Sequence, residues 1–210
     1  MIVIRACNSR QLLLTIDTDT LVGWNFKGVR LTGADFAKML LTKTDFSHAT
    51  LFAADFHEAG LEEADFRSVL LTNSNLGNCQ LRNADFSDAA LVNVSLRNAD
   101  LERASFRHGR VINSDFTGAN LRDADLSMAA LSGCFRGADL SNADLRMTDI
   151  RDADLSDAIL TGVRLVGVKI ARSDLTAHQW RLLHQAKRYG TVAGAVPQPV
   201  HRRTWWHFWS

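Results

Sequence analysis

From Leu21 to Leu131 an apolar residue returns at every fifth position, 23 times in succession, and from Phe135 to Leu175 the same interval gives nine more. All 32 of these centres are Leu, Phe, Ile or Val, and nine of the eleven phenylalanines fall on them. Two residues before each centre lies a second restricted column, with Ala at 16 places and Gly, Ser, Thr or Cys at 8 more. A period of five matches neither the 3.6 of a helix nor the 2 of a strand, so this column is not one face of either element prolonged. The chain must turn after each unit. The large centre and the small residue before it then point inward, the other three positions face water, and the coils stack into a quasi-one-dimensional solenoid.

Units such as GADF, KTDF, AADF, EADF and DADL resemble those of the pentapeptide repeat family, whose unit is A(D/N)LXX with Phe allowed at the centre. The resemblance covers residues 21–175. It implies an all-β fold, a right-handed quadrilateral parallel β-helix of about eight coils with four units per coil. At ~4.8 Å per coil such a rod is roughly 38 Å long. Residues 20 apart then share a side. Phe26, Phe46, Phe66, Phe86 and Phe106 fall on one side, with Phe36, Phe56 and Phe116 on the opposite one, so rings face each other across the core. The residue before the centre gives two acidic stripes: Asp45, Asp65, Asp85 and Asp125 on one side, Asp35, Asp55 and Asp115 on the other.

An open solenoid exposes unpaired edges and needs caps. Residues 1–20, with MIVIRA and QLLLTI flanking CNSR, read as a β-hairpin-like amino-terminal cap. Residues 176–190 read as a carboxy-terminal capping helix, with a start signal at Asp174 or Thr176 and Gly190 closing it. The tail 191–210 has no repeat and ends in Trp205, Trp206, Phe208 and Trp209. Three uses are open for these anchors: packing on the rod or a twofold partner, docking to another protein, or attachment at a membrane surface. The first makes a homodimer through the helix and tail an option.

With 46% hydrophobic residues, 22% charged and a net charge of +1, the chain is too apolar for disorder. Cys7, Cys79 and Cys134 stand at neither metal nor redox spacing, which fits reduced thiols in a cytoplasm. The amino terminus lacks an export-signal pattern, and no stretch approaches the ~20 apolar residues of a membrane span. The carboxylates recur every five residues because the unit does, so they do not indicate acid/base catalysis. The seven histidines are scattered, and neither a metal nor a cofactor site is expected. The glycines of the GAD units read as members of the small column.

Function is therefore expected at the surface: a non-catalytic scaffold that binds another protein. The family resemblance adds an alternative, because some bacterial members mimic duplex DNA, bind DNA gyrase and protect this topoisomerase from quinolones or natural gyrase poisons. Residues 21–175 hold 21 acidic and 17 basic side chains, a net of −4, which is weak for a DNA mimic. Residues 176–210 hold five basic and no acidic side chains, too small a footprint for nucleic acid as the main partner.

The count breaks once, where Leu131 and Phe135 are four residues apart. Ser132 follows the centre, an outward residue is missing, and Gly133 takes the small inward place before Cys134, so a local kink or bulge is expected there. Past this slip Asp139, Asp144, Asp149 and Asp154 fall on four successive sides, interleaved with Arg136, Arg146 and Arg151. The surface pattern changes at the slip.

Overall fold

A computed structural model describes residues 1–169, apart from the side chain of Arg151. The expected capping helix, the tail anchors Trp205, Trp206, Phe208 and Trp209, and the last two centres, Ile170 and Leu175, lie outside the described residues. The described residues form an all-β parallel solenoid. Its best-formed face is a seven-stranded parallel sheet of β3 (Arg30–Thr32), β4 (Thr50–Phe52), β5 (Leu70–Thr72), β6 (Ala90–Val92), β7 (Arg110–Asp115), β8 (Ala130–Cys134) and β9 (Asp149–Asp154). Seven strands in sequential order make about six turns between the first and the last.

Three further ladders of isolated parallel bridges run beside this sheet: Asn25↔Asp45↔Asp65↔Asp85, Asp35↔Asp55↔Asn75↔Ser95 and Leu40↔Gly60↔Gln80↔Asp100, each continuing at 20-residue steps that shorten to 19 across the slip. The coil therefore has four faces. We name them by their centres: first (Leu21, Leu41), second (Phe26, Phe46), third (Leu31, Leu51, the sheet) and fourth (Phe36, Phe56).

The centres and the small column fill the core. Phe26, Phe36, Phe46, Phe56, Phe66, Phe86, Phe106, Phe116 and Phe135 are all at most 1% exposed. Rings on one face stack, as Phe66 on Phe86 at 4.7 Å and 1°, while rings of opposite faces meet edge to face, as Phe46 and Phe56 at 5.5 Å and 89°. These are the geometries that the aromatic quadrupole favours. Inward polar residues reach the backbone: Thr44 Oγ1 donates to the Leu21 carbonyl at 2.8 Å, and Thr148 Oγ1 to that of Leu126 at 2.8 Å.

Each unit turns through a residue with positive φ, two past the centre. Gly, Asn or Asp occupies many of these places, among them Gly23, Asn73, Asn93 and Asp123, because they accept the left-handed region at least cost. This corrects the reading of the GAD glycines. Gly33 and Gly137, both at φ 65°, belong to the turn column, and the small inward residues beside them are Ala34 and Ala138, both 0% exposed.

The amino terminus covers the upper edge. β1 (Ile2–Arg5) pairs antiparallel with β2 (Leu12–Ile16), and the chain just beyond β1 bonds to the first coil through Cys7 N to Gly33 O (2.7 Å) and Asp35 N to Arg5 O (2.8 Å).

Candidate interaction surface

The four faces differ at their corners. After centres of the first, second and fourth faces the chain closes a hydrogen-bonded turn, as in Trp24 N to Leu21 O (3.0 Å), Val29 N to Phe26 O (3.2 Å) and Met39 N to Phe36 O (3.1 Å). After Leu31, Leu51, Leu71 and Leu91 that bond is missing. The next residue, Thr32, Phe52, Thr72 or Val92, enters the strand pairing instead, which is why only this face registers as a sheet. Inward serines of the following coil take up the freed donors: Ala54 N donates to Ser74 Oγ at 3.2 Å and Val94 N to Ser114 Oγ at 3.1 Å.

The acidic stripes sit at closed corners. At many of them a carboxylate before the centre accepts the N–H of the residue after it: Ala37 on Asp35, Ser47 on Asp45, His57 on Asp55, Ser87 on Asp85, Thr117 on Asp115, Ser127 on Asp125, Ser141 on Asp139 and Ser156 on Asp154, all at 2.8–3.1 Å. These aspartates cap turns before they offer anything to a partner. Thr50, Leu70, Ala90 and Ala130 stand at the equivalent places of the third face, and the closed corners of the first face after Leu41, Leu61 and Leu81 form without a carboxylate, behind Leu40, Gly60 and Gln80.

The register aligns Asp45, Asp65 and Asp85 on the second face and Asp35 and Asp55 on the fourth. Much of this charge is matched within the rod. Arg67 reaches Asp65 and, at 3.9 Å, Asp85, while Arg97 meets Asp115 at 2.7 Å and Arg122 meets Asp139 at 3.2 Å. Asp144, with a side chain only 4% exposed, is held by Arg146 at 2.7 Å and Arg164 at 3.0 Å. Burial alone would raise the Asp144 carboxyl, but the Arg146 side chain and N–H and the charge of Arg164 outweigh it and hold it below its ordinary value. Asp65, Asp115 and Asp139 are lowered in the same way, against their burial, by bonds to Arg67, Thr117 and Ser141 respectively. Asp154 is lowered by its bonds to Ser156. Asp149 lies in the sheet, paired with Ala130 and Lys169.

The third face is different. Its outward strand residues from β4 to β6 are Thr50, Phe52, Leu70, Thr72, Ala90 and Val92, without a charge among them, and Phe52 and Leu70 are 45% and 50% exposed. The sequence shows two sides without an acidic stripe, this one with Arg30, Thr50, Leu70 and Arg110 before its centres, but its pattern does not offer either as an interaction surface. The first face shares that gap, with Leu40, Gly60 and Gln80 before its centres, so the gap alone does not single out the open corner.

The slip falls at the open corner of the same face. Val111 pairs with Leu131 and Ser114 with Gly133, so Ile112 and Asn113 lie opposite Ser132 alone, and β9 restores the full count on the other side. Removing a residue here forfeits no turn hydrogen bond, and β7 to β9 run unbroken round the corner. Gly133 adopts φ 120°, and a Cβ on it would lie 2.1 Å from the Ser114 carbonyl oxygen. Ser114, Gly133 and Ala153 are register partners in the inward column, and Phe135 stacks on Phe116 at 4.5 Å, so the core is continuous. Outside, a shallow hollow of about 150 Å³ opens beside Arg110, Ile112, Ser132, Asp149 and Asp152. Cys134 is half-buried, with Thr117 Oγ1 at 3.2 Å from its sulfur, whereas burial pushes the Cys79 thiol up to about 12.

The coil of four five-residue units agrees with what the chain resembles. A model of the pentapeptide repeat region matches residues 59–135, and one of pentapeptide repeats in eight copies matches 21–58, 30–67 and 138–176. The chain belongs to the pentapeptide repeat family. Among solved structures it is similar to a pentapeptide repeat protein from the Arabidopsis thaliana thylakoid lumen, 35% identical over 53% of this chain and 70% of that one, with a TM-score of 0.36. Full-length QnrB1, a plasmid-mediated fluoroquinolone resistance protein, is 19% identical over 81% of this chain and 97% of its own, with a TM-score of 0.41. HetL, involved in heterocyst differentiation regulation in Nostoc sp. strain PCC 7120, is 24% identical over 73% and 90%, with a TM-score of 0.28. No curated protein matches the chain. Among the described residues no group of three or more His, Cys, Asp or Glu could hold a metal ion, and no helix is long and apolar enough to cross a membrane.

Proposed function

We propose that this pentapeptide repeat protein is a non-catalytic, cytoplasmic scaffold that binds another protein through the third face. The observation that carries the reading is the contrast between faces: the second and fourth carry carboxylates, with arginines on Asp65, Asp85 and Asp115, while β4 to β6 offer uncharged and partly apolar strands. A filled core leaves no interior cleft for a substrate. The same reading takes the solenoid as right-handed and runs it through eight coils to a helix over 176–190. Affinity capture with the intact protein, Val92→Asp and Ala37→Asp tests it. A partner kept by the intact chain and by Ala37→Asp, which alters the fourth face, and lost with Val92→Asp supports the reading. Equal capture by all three overturns it.

One observation favours a second reading, a DNA mimic that protects DNA gyrase: Asp45, Asp65 and Asp85 repeat in register along one face. The matched arginines and the net of −4 weigh against it. Supercoiling by gyrase with and without ciprofloxacin decides. Neither inhibition nor protection at micromolar protein sinks this alternative.

A further inference from the structure

The third face is a strip. From β4 to β8 it crosses four inter-strand steps, about 19 Å, and at three residues per strand it is about 10 Å wide. That is on the order of 200 Å², far below the ~800 Å² that each partner contributes to a stable association. A second copy of the rod laid on this strip alone buries too little, whereas one short segment of chain matches its width.

The chain itself supplies such a segment at the right place. The last described residue, Lys169, pairs with Asp149 and so stands in the ladder of the third face, directly below the strip. Six steps of about 4.8 Å separate it from β4, roughly 29 Å. Thirty-five residues lie between Lys169 and Trp205. At ~3.3 Å each when extended, they reach several times that distance. What they lead to is the most aromatic run of the sequence, TWWHFWS. Each large ring offers roughly 150–250 Å² that gains by leaving water.

We propose that Trp205, Trp206, Phe208 and Trp209 lie on the third face of their own chain, against Phe52, Leu70, Ala90 and Val92. Arg110, exposed on β7 at the lower end of the uncharged strands, offers a guanidinium to one indole face. The inference rests on the scaffold reading for its choice of face, and it is tested on the isolated protein, so it stands or falls whether or not a partner is captured.

The experiment is acrylamide quenching of tryptophan emission in the full-length protein, comparing the intact chain with Val92→Asp, Leu70→Asp and the fourth-face control Ala37→Asp. Circular dichroism checks that each variant is folded. Two strip variants are used so that the loss of one fold leaves the other to decide. With the tail on the strip, a buried charge there expels the rings, so emission shifts to the red and quenching rises roughly twofold. The control matches the intact chain, and the effect is the same at every protein concentration with a monomer in sedimentation. Strip variants that quench like the intact chain overturn the proposal. So does an effect seen only where sedimentation shows a dimer, because the occupant is then a second copy.

Discussion

Above the slip and below it the rod has one backbone and two characters. Between Leu21 and Leu131 eight phenylalanines stand in the second and fourth columns beside Leu76, Leu96 and Leu126, most centres are 0% exposed, and the sheet face is uncharged from β4 to β6. Below it Phe135 is the last aromatic centre of the repeat. The centres Leu140, Leu145, Ile150, Leu155 and Leu160 are 1–3% exposed, Leu165 is 0% exposed, and Asp149 and Asp152 enter the sheet face. The register of the ladders is restored within one coil. The difference teaches that the inward pair and the corners set the fold, while ring identity and outward residues vary freely upon it.

The largest test of that contrast is in the core. Phe66 stacks between Phe46 at 5.1 Å and Phe86 at 4.7 Å and meets Phe56 edge-on, so Phe66→Ala opens a cavity between rings that cannot collapse. It should cost about 3–5 kcal/mol, against about 2–3 kcal/mol for Leu145→Ala below the slip. Urea unfolding of both variants measures this. Equal losses would break the distinction between the two segments.

Next comes the boundary itself. Gly133→Ala forces a Cβ into the Ser114 backbone at a φ that L residues rarely adopt, and about 3 kcal/mol should be lost. Gly137→Ala, at φ 65° with nothing within 4 Å, should lose only about 1 kcal/mol. A slip that tolerated both equally would not be a fixed feature of the fold.

The period of five made the coil, its four sides and the facing columns of Phe26 and Phe36 legible in the sequence, because burial acts on every unit alike. The hairpin pairing Ile2 with Ile16 could be anticipated from two short apolar runs around CNSR. The corners were not legible. Whether a turn closes after Leu31 depends on hydrogen bonds to the next coil 20 residues away, such as Val94 N to Ser114 Oγ, and no local pattern reports those. The same blind spot made the aspartates look like surface charge, when Asp45 and Asp125 first satisfy the N–H of Ser47 and Ser127.

Ser114 sharpens the account of the open corner just above the slip. It is 1% exposed, accepts from Val94 N and donates to the Ile112 carbonyl at 3.1 Å. Ser114→Ala leaves a buried donor without its acceptor and should cost about 1–2 kcal/mol. Amide exchange should show the Val94 N–H losing protection while the closed-corner N–H groups, such as that of Ala99, keep theirs. Unchanged protection at Val94 would show that the serine does not hold this corner.

The smallest effect concerns charge below the slip. Asp144 is the most deeply buried of the stripe carboxylates, and Asp144→Asn keeps an acceptor for the Arg146 N–H while losing the charge that faces Arg146 and Arg164. About 1 kcal/mol should be lost at neutral pH, because both arginines are half exposed and solvent weakens each pair. Its sign with pH is fixed. The folded-state value of Asp144 lies below the unfolded one of about 4, so its contribution is complete above that pH and disappears as pH falls through the depressed folded value. The stability gap between intact protein and variant should accordingly be constant from neutrality to about pH 5 and close in stronger acid. A gap of the same size at pH 2 would mean that the asparagine acts through packing, and that the ion pairs on the lower segment do not stabilise it.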